Sequence, residues 1–96
     1  MLGQRIMEQR ICSGWSQVEL AKRLGVAKQT VSNWENENVQ PSIDMLINIA
    51  KIFHVTTDYL LGLDDNTKLD VSGLPAITIA HMALLVEDYR QKYSIE

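Results

Sequence analysis

Residues 17–36 read QVELAKRLGVAKQTVSNWEN, and this stretch decides the fold because two short helical patterns meet in it across a single glycine. Leu20, Ala21 and Leu24 share one face of the first pattern, Gly25 follows, and Val31 and Trp34 recur at helical spacing in the second. Helices that cross steeply on so short a turn approach closely, and the single methyl of Ala21 permits what a leucine there would prevent. Gly25 supplies the positive φ that ends the first helix. Val26 then turns inward with Leu20, Leu24, Val31 and Trp34 to make one small core. A generic helical hairpin would match Gly25 but not the whole set, so the pair reads as a helix-turn-helix.

Outward from this pair, the signals for helix ends are local and clear. Ser16 and Glu19 have the S-x-x-E spacing of a capping box, with Trp15 placed to staple against Leu20. Upstream, a first helix runs from about Leu2 to Cys12 with Ile6, Met7, Arg10 and Ile11 at helical spacing, and Ser13-Gly14 ends it. Cys12 is expected as a small core residue at that end. Downstream, the second helix of the pair extends from about Lys28 to Asn36. A polar loop then leads to Pro41 and to Ser42, the N-cap of a fourth helix that buries Leu46, Ile49, Ala50 and Phe53. A short fifth helix starts near Thr56 or Thr57, carries Tyr59, Leu60 and Leu61, and stops at Gly62.

The organisation expected is therefore a five-helix domain over residues 1–62, a linker over 63–74 and a terminal helical segment over 75–96. Pro75 suits the first position of the last helix, which continues to about Tyr93. Ile79, Met82, Val86, Tyr89 and Tyr93 alternate spacings of three and four, the a/d pattern of a coiled-coil seam. Ala83 and Leu85 widen the seam, and Ile77 with Leu84 lie on the far side. A helix this apolar needs two surfaces, so it is expected to pack partly on its own domain and partly on the same helix of a second chain.

Composition agrees with an all-α chain: 96 residues, 46% apolar, two prolines and five glycines, with almost no alternation of apolar and polar residues. One cysteine excludes an intramolecular disulfide. No stretch reaches the roughly 18–20 apolar residues that span a bilayer, and the chain is read as cytoplasmic, with no membrane partner. The net charge of −3 and pI near 5.3 are unusual for a binder of nucleic acid. The acid is unevenly spread, however. Residues 1–41 hold Arg5, Arg10, Lys22, Arg23 and Lys28 against Glu8, Glu19, Glu35 and Glu37, whereas residues 42–66 hold Lys51 against Asp44, Asp58, Asp64 and Asp65.

Residues 4–62 resemble the lambda-repressor-like helix-turn-helix family, the Cro/CI or XRE type of phage and bacterial regulators. The resemblance rests on Ser16-Gln17 with Glu19-Leu20-Ala21, Gly25-Val26, Val31-Ser32 with Trp34-Glu35, and Pro41-Ser42. It continues through Leu46 with Ile49-Ala50, and Val55 followed by Asp58-Tyr59-Leu60-Leu61-Gly62. It implies a lambda-repressor-like domain whose third helix enters the major groove of double-stranded DNA, with Gln17 on a phosphate. It also implies an ion pair of Arg10 with Glu35 that locks the angle of the reading helix. The helical wheel selects the same face, since with Val31 and Trp34 inward, Lys28, Gln29, Ser32, Asn33 and Asn36 share an outward arc of about 140°. Lys28, Gln29, Ser32 and Asn33 are the expected base readers: Lys28 suits the guanine acceptors, and Gln29 and Asn33 carry the donor and acceptor that match adenine. Gln17, Thr30, Asn36 and Asn38, the last through its nearby amides, are the expected phosphate contacts. Ala27 departs from the family pattern, since many relatives place a capping Ser or Thr there.

The chemistry of catalysis is poorly represented. His54, His81 and Cys12 stand apart, and there is no metal-ligand spacing, phosphate-cradling loop or catalytic triad, so neither enzyme activity, a cofactor nor a metal is expected. The expected function is that of a homodimeric, sequence-specific repressor reading an inverted repeat. The dimer interface is expected at Ile79, Met82, Val86, Tyr89 and Tyr93. The competing reading is an antitoxin or interaction regulator whose terminal helix binds a protein antagonist.

Overall fold

The computed structural model describes residues 1–64 and 70–93. Residues 65–69 of the expected linker and 94–96 of the expected terminal segment lie outside the described residues. The chain forms α1 (Leu2–Cys12), α2 (Gln17–Leu24), α3 (Lys28–Glu35), α4 (Ile43–Phe53), α5 (Thr57–Leu60) and α6 (Ala76–Lys92). No strand occurs among the described residues, and no helix there is long and apolar enough to cross a membrane.

Short side chains begin three of these helices. Ser16 Oγ accepts from the Glu19 amide at 3.1 Å, Ser42 Oγ from Met45 at 3.2 Å and Thr56 Oγ1 from Tyr59 at 3.0 Å. Each satisfies a first-turn amide that has no carbonyl inside its own helix. The Glu19 carboxylate pairs with Arg23 at 3.0 Å. Gly25 ends α2 at φ 73°, and the next amide, of Val26, reaches back to the Ala21 carbonyl at 2.9 Å. His54 closes α4 the same way at φ 56°, with Val55 bonding to Ala50 at 3.0 Å. Several ends shift by one residue from expectation: α3 stops at Glu35 with Asn36 as its cap, α5 at Leu60 with Leu61 as its cap and α6 at Lys92 with Tyr93 as its cap, while Pro75 caps α6 from outside rather than opening it.

The core gathers one face from each of the first five helices. Ile6, Leu20, Val31, Ile49 and Leu60 are fully buried, with Ala21, Trp34, Ala50, Phe53 and Tyr59 around them. Trp15 seals one side by stacking on Phe53 at 5.6 Å between centroids. Cys12, expected in the core, is exposed. The inward stripe of α1 is Gly3, Ile6 and Arg10, spaced i, i+3 and i+7, and at 100° per residue Cys12 falls about 200° beyond Arg10.

Gly3 marks a close approach that fixes where α1 lies. A Cβ on it would stand 2.2 Å from the Trp34 carbonyl oxygen and 2.9 Å from that of Glu35, so α1 crosses directly over the end of α3. Arg5 ties α1 to α5, donating from Nη1 to the Tyr59 carbonyl at 2.7 Å while its guanidinium sits 4.5 Å from the Tyr59 ring centroid.

The sixth helix is packed differently. None of its residues is buried; Thr78, Ile79 and Met82 are half-buried, whereas Ile77, Leu84, Leu85, Val86, Tyr89 and Tyr93 are exposed. The expected packing on its own domain is thus slight. Only the first part of the a/d seam is covered, and the part from Val86 to Tyr93 is open.

Candidate nucleic-acid interface

The third helix divides into two faces as its sequence demands. Val31, Trp34 and Glu35 are buried, Lys28, Gln29 and Asn36 are exposed, and Ser32, Asn33 and Thr30 are half-buried along the border. Glu35 is the only charged residue among the buried ones described, and its environment explains why it is tolerated there. Arg10 Nε lies 2.7 Å from its Oε2 and Arg10 Nη2 lies 3.0 Å from its Oε1, a two-pronged pair with side-chain exposures of 14% and 2%. Arg10 Nη1 donates further to the Trp15 carbonyl at 2.9 Å. The hydrogen bond to Glu35 raises the Arg10 pKa above its ordinary value, against the opposing effect of burial. A buried charge left alone would be costly, and here each is answered by its partner and by neutral groups.

Gln17 joins the same carboxylate, donating from Nε2 to Glu35 Oε1 at 3.1 Å. One carboxylate of α3 therefore holds α1 through Arg10 and the start of α2 through Gln17. An amide nitrogen carries two hydrogens, so Gln17 retains one donor for an outside acceptor such as a phosphate oxygen.

On the outward face the polar side chains are linked in pairs one helical turn apart. Gln29 Nε2 donates to Asn33 Oδ1 at 3.0 Å, and Asn36 Nδ2 donates to Ser32 Oγ at 3.3 Å. Lys28 has no ion pair among the described residues, which leaves its ammonium available. Ala27 provides no side-chain cap, so no hydroxyl answers the first amides of α3, and the Thr30 amide bonds to the Ala27 carbonyl at 3.0 Å.

Near Asn38, two backbone amides are already engaged within the chain. The amides of Asn38 and Val39 both turn back to the Asn33 carbonyl, at 2.9 and 3.4 Å. That closure follows from Glu37, which adopts φ 61° and wraps the loop under the end of α3. The side chain of Asn38 is exposed.

Two residues that sequence reasoning missed organise this end of the domain. Glu37 Oε1 accepts from the Gly3 amide at 2.7 Å, so the loop after α3 caps α1. Glu37 carries no local signal for this role, because its partner is 34 residues away. A depression of about 650 Å³, lined by Ile47, Lys51, His54, Thr57 and Asp70 among others, takes no residue from α3.

Comparison with known proteins extends this geometry. The helix-turn-helix family model HTH_3 matches residues 6–60. The HTH-type transcriptional regulator ImmR of Bacillus subtilis is 36% identical over 78 residues, covering 81% of this chain and 61% of its own. The chain thus spans less than two thirds of that curated relative. The P22 c2 repressor of Salmonella phage P22, solved in complex with a synthetic operator, superposes with a TM-score of 0.63 at 31% identity, over 67% of this chain and 97% of that one. A complex of the SinR and SinI proteins matches with a TM-score of 0.61 at 29% identity, over 96% of this chain and 99% of that one. With the family model covering more than half of the chain and the capped turn, buried α3 face and five-helix core in place, the chain belongs to the HTH_3 helix-turn-helix family, of the Cro/CI or XRE type.

Proposed function

We propose that this protein is a sequence-specific DNA-binding transcriptional regulator, a homodimeric repressor that places α3 of each protomer in the major groove of an inverted-repeat operator. The observation that carries the reading is the outward face of α3. Lys28, Gln29, Ser32 and Asn33 present hydrogen-bonding groups on a helix whose opposite face is anchored by Glu35. Such a face suits base edges, while Gln17, Thr30 and the side chains of Asn36 and Asn38 are spaced to hold phosphates and fix the register. The similar P22 c2 repressor was solved on operator DNA, which supports the same use of the shared fold. On this reading residues 1–62 bind DNA, 63–74 connect, and 75–96 join two copies through Ile79, Met82, Val86, Tyr89 and Tyr93. Repression follows from occupying DNA that RNA polymerase needs.

The experiment that tests it is selection of bound duplexes from random DNA by the full chain. An inverted repeat with half-sites about 10–10.5 base pairs apart, or a multiple, is the expected product. Recovery of no preferred sequence would refute the proposal.

A second reading has its own support. The apolar surface of α6 from Val86 to Tyr93 is open, and a similar chain was solved as a complex of SinR with SinI. A protein antagonist that takes α6 in place of a second copy would be expected to release DNA, and co-purification followed by size-exclusion chromatography distinguishes the two.

A further inference from the structure

We propose that Gln29 and Asn33 read two base pairs as one coupled unit, in which Asn33 is a positioning residue for Gln29 as well as a reader in its own right. The inference rests on the proposed reading of α3 as the DNA-reading helix. It starts from the bond that Gln29 Nε2 donates to Asn33 Oδ1 at 3.0 Å.

That bond divides the chemistry of two otherwise similar amides. Gln29 commits one of its two amide hydrogens and keeps the other, together with its carbonyl oxygen. One donor beside one acceptor is the pattern that matches adenine at N7 and N6. Asn33 has one of its two carbonyl lone pairs engaged and turned towards Gln29 and keeps both amide hydrogens, so it meets a base edge chiefly as a donor. The edge that offers two acceptors side by side is guanine, at N7 and O6. Residues one helical turn apart have Cβ atoms about 5–6 Å apart, a spacing suited to neighbouring base pairs. The pair is weak while Gln29 is in water, and it strengthens when DNA excludes water from it. Asn33 is half-buried where Gln29 is exposed, so the better-held residue orients the freer one. The sequence suggests two interchangeable adenine readers; the hydrogen bond makes them unlike.

The test is base selection over a randomised half-site by the full chain and three variants, followed by competition binding to duplexes altered at single positions. Gln29→Ala is expected to relax the adenine position alone. Asn33→Ala is expected to relax both positions, with adenine discrimination falling at least about fivefold. Asn33→Asp keeps an acceptor for Gln29, so the adenine preference is expected to survive while the neighbouring position turns from guanine towards cytosine, whose N4 donates to a carboxylate. Melting temperatures close to that of the parent chain establish that each variant is folded. If Asn33→Ala leaves adenine discrimination intact while relaxing its own position, the coupling is refuted and DNA reading by α3 stands. If the parent chain selects no sequence, or no α3 variant changes any base preference, DNA reading itself fails and the coupling with it.

Discussion

Gln17 Nε2 lies 3.1 Å from Glu35 Oε1, the same oxygen that receives Arg10 Nη2 at 3.0 Å. The first residue of α2 and the last of α3 are therefore joined through an atom that α1 also holds. A phosphate drawn to Gln17 would act on a side chain whose position is set by the support of the reading helix, so the two expected roles are mechanically connected.

Breaking this junction from one side is expected to be expensive. Glu35→Ala leaves the Arg10 guanidinium unpaired at 14% exposure, and the loss of stability should be about 3–5 kcal/mol. Replacing both residues by leucine should cost much less than the sum of the single changes, because no charge is stranded. Urea denaturation of the two single variants and the double variant measures this, and additive losses would contradict it.

A methyl group at residue 3 should also be disruptive, though less so. Gly3→Ala puts Cβ against the backbone oxygens of Trp34 and Glu35, which cannot rotate aside, so α1 must move. A loss on the order of 1–3 kcal/mol is expected in thermal denaturation. Gly73→Ala offers a contrast in space though not in backbone strain, since nothing lies within 4 Å of its Cβ position but its φ is +83°.

Operator affinity should depend only weakly on salt. Of the cations in residues 1–41, Arg10 is held by Glu35, Arg5 bonds to the Tyr59 carbonyl, and Arg23 is engaged with Glu19 and the Trp15 ring. Lys22 remains for the phosphates and Lys28 for a base edge, so a dimer would neutralise about two to four phosphates and give a log–log slope of about −4 or shallower. Lys22→Ala should reduce the slope by about one for each half-site, whereas Lys28→Ala should relax base preference at one position. A titration from low to physiological salt decides this, and a slope as steep as −8 would show that other cations reach the DNA.

Association through α6 should be separable from folding. Val86→Asp changes a residue exposed in the single chain, so the melting of the five-helix unit should hardly move, while self-association and operator affinity fall together. Sedimentation equilibrium and DNA binding on the same sample check both. An unchanged dimer would exclude the seam as the interface.

Helix ends and the inner face of the motif were legible in residues 1–62 because their causes are local. Ser16, Ser42 and Thr56 accept from an amide three residues on, Gly25 supplies a backbone shape its own chemistry allows, and Val31 and Trp34 follow the helical period. The side chains available for the candidate interface were legible for the same reason. What they bond to was decided by the tertiary structure. Cys12 is exposed because the inward stripe of α1 passes elsewhere, Gly3 is required because α3 ends beneath it, and Glu37 caps a helix far away in the chain. The amides of Asn38 and Val39 bond to the Asn33 carbonyl in a loop whose left-handed turn falls on a glutamate rather than a glycine. The periodicity of one chain assigns residues to faces; only the packing of α1 and α2 on α3 makes one carboxylate, Glu35, the point where Arg10 and Gln17 meet, because distance in space is not a property of sequence spacing.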